Sequence, residues 1–324
     1  MAQGDLHTST GSSASVAPLA LIVGEALVDI VGSGKFDDGP QATPGGSPAN
    51  VAVGLARLGI PTELVTRLGT DPHGNQLAAH LLCNGVHLAA GSVEPGVRTS
   101  TATATLDPAG IASYEFDIVW EPPTPILKPG CRVVHTGSIA SLLEPGAKAV
   151  REFVRGLTEQ PVTVTLDPNA RPTITPDPAA AWSAIQTLAA ASDLIKLSDE
   201  DCAFLLPGAS LGEVAAEFLM ADRTKCVVIT RGGEGAIGHT RTLRVEVDAP
   251  PVEVVDTVGA GDSFMAALIA GLLSRGLLGG TRLNGIDESA LREVIAYAVK
   301  AAAITCTRHG ADPPTGTEHT TTRM

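Results

Sequence analysis

Two kinds of apolar pattern alternate along the chain. Short continuous runs such as Leu19–Val23, Val162–Leu166, Leu194–Leu197 and Cys226–Thr230 suit strands buried on both faces of a parallel sheet. Between them lie stretches with helical spacing, and from Arg132 onward the alternation is regular: Arg132–His135, Pro145–Leu157, Val162–Leu166, Pro178–Ala191, Leu194–Leu197, Leu211–Met220 and Cys226–Thr230. That rhythm predicts an α/β chain with a mostly parallel sheet covered on both faces, and ligands of such sheets gather at the carboxyl ends of the strands.

The punctuation supports these elements. Ser47 as cap, Pro48 in the first turn and an apolar face through Val51, Leu55 and Leu58 predict a helix closed by Gly59. Asp71, Pro72 and Gly85 frame a second helix, and Glu288–Thr307 reads as a long one. Residues 94–120 break the rhythm: Arg98–Leu106 alternates like a strand, Asp107–Gly110 reads as a turn, and Ala112–Ile118 returns. Such a hairpin inserted in an α/β chain predicts a separate small sheet. In Glu25–Val31 the acid Asp29 stands among apolar neighbours. It faces solvent on an alternating strand, or it is buried against a polyhydroxylated ligand that supplies its partners.

Composition narrows the partners. The 324 residues carry a formal net charge of −13, 3% aromatics and no Lys/Arg cluster, which argues against a nucleic-acid surface. A small phosphorylated ligand remains compatible, because backbone amides and one or two cations bind it locally. Five cysteines without paired metal spacing read as buried free thiols of a reducing compartment. No apolar segment is long enough to span a bilayer. Residues 1–18 are polar, without a secretory pattern, and are expected to be a disordered leader; the cytoplasm is the expected location. The Thr-rich residues 315–324 are expected to form a mobile tail.

The chemistry concentrates in Asp256–Phe264, where Gly259-Ala260-Gly261-Asp262 leads into the apolar run Phe264–Leu273. Glycines that aim consecutive N–H groups at one point, at a helix start, make an anion cradle. Asp262, at its inner edge, can accept a proton from a hydroxyl held before it, a pairing that suits phosphoryl transfer to an alcohol. The alternative is a capped helix whose glycines serve only packing. Gly45 and Gly46 allow close approach of a ligand, and Asn50 offers both donor and acceptor. Arg171, in Asp167-Pro168-Asn169-Ala170-Arg171, can pair bidentately with a phosphate or carboxylate. Neither a P-loop nor the protein-kinase motif set occurs, and Gly32, Gly34 and Gly39 lack the spacing of a dinucleotide fingerprint.

Residues 256–264 resemble the C-terminal signature of the ribokinase-like (PfkB) family of sugar kinases, and further motifs follow in order over residues 19–314. The resemblance implies a ribokinase-like three-layer α/β/α core, with a β-sheet lid from about residues 29–43 and 94–120. It implies an ATP-dependent kinase acting on a primary hydroxyl of a monosaccharide, with fructose the leading acceptor. Ketodeoxygluconate, ribose and nucleosides are the alternative acceptors, and a non-catalytic sugar-binding relative is the alternative from another class. By position, Asp262 is the base and the amides of Gly259, Ala260 and Gly261 form the anion hole. Asp29, Gly45, Gly46, Asn50 and Arg171 fall on the sugar side, and Lys196, Ser198, Thr230, Gly232 and Gly235 on the nucleotide side. Asp201, where the family has a glutamate, and Glu200 stand at the Mg²⁺-supporting element. Asp256, Val258, Thr305, Arg308 and Gly310 stand where the family often holds a monovalent cation, implying K⁺. Lid strands pair between subunits in some members, which leaves a homodimer open.

Overall fold

The computed structural model describes residues 19–31, 41–106 and 112–322. The expected leader, the hairpin turn and the middle of the first lid segment lie outside the described residues. In chain order the strands are β1 (Ala20–Val23), β2 (Leu27–Val31), β3 (Gln41–Gly45), β4 (Thr62–Val65), β5 (Val86–Leu88), β6 (Thr101–Leu106), β7 (Ala112–Asp117), β8 (Val133–Gly137), β9 (Thr163–Asp167), β10 (Leu194–Ser198), β11 (Cys226–Thr230), β12 (Ala236–His239) and β13 (Arg244–Val247). The helices are α1 (Ser47–Arg57), α2 (Pro72–Cys83), α3 (Ser138–Leu142), α4 (Gly146–Gly156), α5 (Pro178–Ala189), α6 (Asp199–Leu205), α7 (Leu211–Leu219), α8 (Ala260–Ser274), α9 (Glu288–Cys306) and α10 (Gly316–Thr321).

The main sheet has the order β13-β12-β11-β10-β9-β8-β1-β4-β5. It is parallel from β11 to β5, while β12 and β13 add as an antiparallel edge. The pleat divides β1 between two cores. Ala20 and Ile22 join α1, α8 and α9 on one face, while Leu21 and Val23 join α4, α5 and α7 on the other. Burial on both faces is why the strands read as unbroken apolar runs rather than alternating ones. Helix α8 is apolar all round, being sandwiched between the sheet, α1 and α9.

A second sheet of order β3-β2-β6-β7 stands apart. Asp29 pairs with Thr43 on one side and Ala102 on the other, and Ala102 pairs with Phe116. Leu27, Ala102 and Ile139 form a small third core with Phe116 beside it. This cluster packs the small sheet against the start of α3.

Several elements differ from expectation. Within the tail read as mobile, Gly316–Thr321 form α10, with a capping box between Thr315 and Glu318. His319 is buried there with its ring 3.8 Å from that of Tyr297. Trp182 packs on Phe218 in the outer helix layer. Of the five free thiols, Cys131, Cys202 and Cys226 are buried, Cys306 is half-buried and Cys83 is exposed. Among the described residues no helix is long and apolar enough to cross a membrane.

Candidate active site

The carboxyl ends of β8 to β11, the small sheet, and the start of α8 enclose a cleft of about 950 Å³. It is built around the first turn of α8. Gly259 caps that helix in the left-handed region at φ 74°. A Cβ there would lie 2.5 Å from the Cβ of Ala311, so the turn needs glycine for both conformation and space. Asp262 follows in the first turn, 8% exposed. Its Oδ1 accepts the Ser47 hydroxyl at 2.6 Å, and its Oδ2 accepts the Asn50 amide at 2.8 Å. Helix α1 therefore holds the carboxylate from the side. The sequence suggested Ser47 as the cap of α1; instead Gly46 occupies the cap, at φ 100° without a side-chain cap bond, and the hydroxyl serves Asp262.

Three of the expected cradle amides differ in what they do. The Ala260 N–H donates at 3.2 Å to Thr257 O, a long bond that closes the turn. Gly259 and Gly261 line the cleft beside it. A Cβ on Gly261 would meet Lys196 Nζ at 3.1 Å, so an ammonium lies against the cradle. Lys196 comes from the middle of β10 and pairs at 3.0 Å with Asp167 Oδ2 from the end of β9. Burial pushes the lysine down, but Asp167, Asp201 and Asp262 together hold it above the ordinary lysine range.

At the other end of the cleft, Asp29, Gly46, Asn50 and Arg171 come together with Phe116. Gly45 is buried, and a Cβ there would strike Asp29 Oδ2 at 2.0 Å. Its smallness makes room for the Asp29 carboxylate, not for a ligand directly. Burial raises Asp29 to about 6; the Arg171 charge opposes the rise and that of Asp262 adds to it. Sugar binding through an ionised Asp29 is therefore expected to weaken as pH falls through about 6, because protonation removes an acceptor. Initial rates between about pH 5 and 8 should show the acceptor KM rising at the acid end while the ATP KM stays level. The part of the rise that falls at about 6 should vanish in Asp29→Asn, and a level acceptor KM in the wild type would take Asp29 out of the acceptor site.

Along the cleft, Ser198, Thr230, Gly232 and Gly235 line the wall near β10 and β11. Ser198 and Asp201 form a capping box at the start of α6. Asp201 Oδ1 also accepts the Ala170 N–H at 2.7 Å, and its Oδ2 accepts from Ser198. Both oxygens are thus committed to backbone and cap, so Asp201 does not fit as a direct Mg²⁺ ligand. Glu200 is exposed and lines the cleft. No group of three or more His, Cys, Asp or Glu able to hold a metal occurs among the described residues. Asp256 ties the signature loop to the last loop, accepting the N–H groups of Val258 at 3.0 Å and Gly310 at 2.8 Å. Thr305 is fully buried and donates its hydroxyl to Ser263 at 2.7 Å. Sequence reasoning gave no role to Glu25, Ser138 or Asn169, which also line the cleft. For Ser138 and Asn169 the signal in the sequence was their place just after two strands; their positive φ (53° and 36°) shows only in the fold.

An acid at a helix start beside a cradle and a buried ammonium, facing a polar chamber under a small sheet, suits phosphoryl transfer to a hydroxyl. Comparison with known proteins agrees. The profile of the pfkB family carbohydrate kinases matches residues 19–318, and the chain belongs to that family. It is 34% identical over 321 residues to probable fructokinase-4 of Arabidopsis thaliana, covering 94% of this chain and 97% of that one. The solved fructokinase with bound ATP from Xylella fastidiosa superposes with a TM-score of 0.80 at 24% identity, covering 91% and 94% of the two chains. A putative ribokinase II from E. coli in complex with ATP and Mg²⁺ gives a TM-score of 0.72 at 26% identity, over 91% and 94%. The protein is accordingly a carbohydrate kinase.

Proposed function

We propose that the acceptor is fructose and that a primary hydroxyl receives the γ-phosphoryl group of ATP, with Asp262 as the base. The observation that carries the reading is the Asp262 carboxylate. It is held on both oxygens by α1 and stands where the sugar end of the cleft meets the glycine turn. In this reading Asp29, Gly46, Asn50 and Arg171 orient the sugar. Ser198, Thr230, Gly232 and Gly235 line the ATP side. The Gly259 and Gly261 amides, with Lys196, face the charge that develops on the transferred group. Mg²⁺ enters with the phosphates it neutralises, and Glu200 is the carboxylate placed to approach it. K⁺ belongs to the proposal through the carbonyls of the loops that Asp256 joins. The small sheet serves as a lid that excludes water from the phosphoryl group. Its outer strands β3 and β7 offer the edges through which a homodimer would form. Sugar and ATP are both cytoplasmic metabolites, in keeping with a cytoplasmic location.

Fructose as acceptor is supported by the fructokinase among the relatives, over nearly the whole of both chains. Arg171 favours one other reading, since its guanidinium at the sugar end would also suit the carboxylate of ketodeoxygluconate. ADP release from ATP and Mg²⁺ across fructose, ketodeoxygluconate, ribose and adenosine, with and without KCl, tests the choice. A kcat/KM for fructose at least about tenfold above the others is expected; preference for ketodeoxygluconate would move the assignment to the acid.

A further inference from the structure

One polar side chain of the cleft has no part in the roles above. Glu25 lies between β1 and β2 and is 2% exposed, yet it lines the same chamber as Asp29 and Asn50. Its Oε2 accepts the Ala140 N–H in α3 at 2.9 Å. Its Oε1 is buried without a well-formed hydrogen bond, the Ser138 hydroxyl being the one side chain that pulls on the carboxylate as a donor. Leaving such an atom unsatisfied is costly, and buried polar groups seldom persist that way without a reason. A polyol in the chamber supplies what is missing.

We propose that Glu25 is a further acceptor-binding residue: Oε1 takes a hydrogen bond from a sugar hydroxyl, while Oε2 anchors the first turn of α3. The proposal rests on the sugar-kinase reading of the cleft. Three features set the carboxylate for this task. The Glu25 carbonyl oxygen lies 2.7 Å from where a Cβ of Gly46 would be, so the residue packs on the turn that launches α1 with Ser47 and Asn50. The anchor it holds is unusual backbone: Ser138 enters α3 at φ 53°. Arg171 acts on both Glu25 and Asp29, so the two carboxylates share one end of the chamber with one guanidinium between their influences. Burial raises Glu25 to about 7, against the opposing pull of its own backbone, Ser138, Ala140 and Arg171. That is the behaviour of a group whose charge is incompletely matched until a donor arrives.

Glu25→Gln separates the two functions, because the amide oxygen can keep the Ala140 bond while only an N–H donor then faces the chamber. Assayed at about pH 8, where the carboxyl is ionised, the variant should lose about tenfold or more in kcat/KM for fructose. The loss should fall on the fructose KM and leave the ATP KM unchanged. The 1-deoxy, 3-deoxy and 4-deoxy forms of fructose identify the contact. One of them should cost the wild type a similar factor while being treated by Glu25→Gln like fructose itself. If the variant discriminates every deoxy form as sharply as the wild type does, Glu25 only braces α3 and the proposal falls. Should Glu25→Gln fail to fold, Glu25→Asp reads the same comparison, since it keeps the charge but withdraws it from the chamber by one methylene. Protection of wild type and variant against heat by fructose, ketodeoxygluconate and ribose is measured alongside. A wild type protected only by another sugar overturns fructose as acceptor, and the Glu25 comparison is then made with the deoxy forms of that sugar.

Discussion

Asp262→Asn is expected to lower kcat by about 10³-fold, within the usual reach of a general base, while the KM values for sugar and ATP change only a few-fold. The substitution is nearly isosteric, and the residues that hold the carboxylate are hydroxyl and amide groups able to turn. Ser47 Oγ can accept as well as donate, and Asn50 presents an oxygen as well as an NH₂. The cradle and the packing of α8 against α1 and α9 are untouched. The loss of an acid from the first turn of α8 removes a favourable interaction with the helix start of about 0.3–1 kcal/mol, so Tm should move by a few degrees at most. A large fall in kcat with an almost unchanged melting curve therefore isolates the proton transfer. It is read by ADP release in initial-rate assays and by thermal unfolding of the same samples. Near-normal turnover would remove Asp262 as the base, and the glycine turn would then stand as a binding feature.

Why the site was only partly legible in the sequence follows from how its contacts are made. The caps Asp71 and Gly85, the closing Gly59 and the turn at Gly259 are local features. Each is decided by a few neighbouring residues, so it can be read from the chain. Ser47 looked equally local, a serine before a proline at a helix start, yet its hydroxyl bonds a carboxylate 215 positions away. Ser47 stands one residue inside the helix, with Gly46 as the cap, so its hydroxyl donates to the carboxylate instead of serving the helix start. The antiparallel edge of β12 and β13, α6 and α10 are short or polar, and they owe their existence to caps and packing more than to periodicity. Glu25 illustrates the limit best. In the sequence it is one acid after a strand, and only the fold reveals that it has entered the chamber with one oxygen satisfied and one not.

Lys196→Met is expected to produce the other large effect, and on two properties at once. The ammonium is 5% exposed in its side chain and Asp167 is 1% exposed, so the pair lies in a region of low effective dielectric. Removing the lysine charge there should cost about 10²–10³-fold in kcat if it faces the transferring phosphoryl group as proposed. It also leaves Asp167 buried, with its Oδ1 already lacking a partner. Breaking one side of a buried pair typically destabilises by about 3–5 kcal/mol. A drop in both activity and Tm would not by itself distinguish electrostatic help in transfer from simple structural pairing. The double variant Lys196→Met, Asp167→Asn distinguishes them, since the second change removes the orphaned charge. Thermal stability should recover substantially, whereas kcat should stay low, because the cleft still lacks a cation beside Gly261. Recovery of both would mean that Lys196 serves only to neutralise Asp167, and that the amides of the glycine turn with Mg²⁺ carry the developing charge alone. The distance from Gly261 favours the first outcome: an ammonium needed only as a counter-ion had no reason to be held against the one turn where anionic charge is expected to develop.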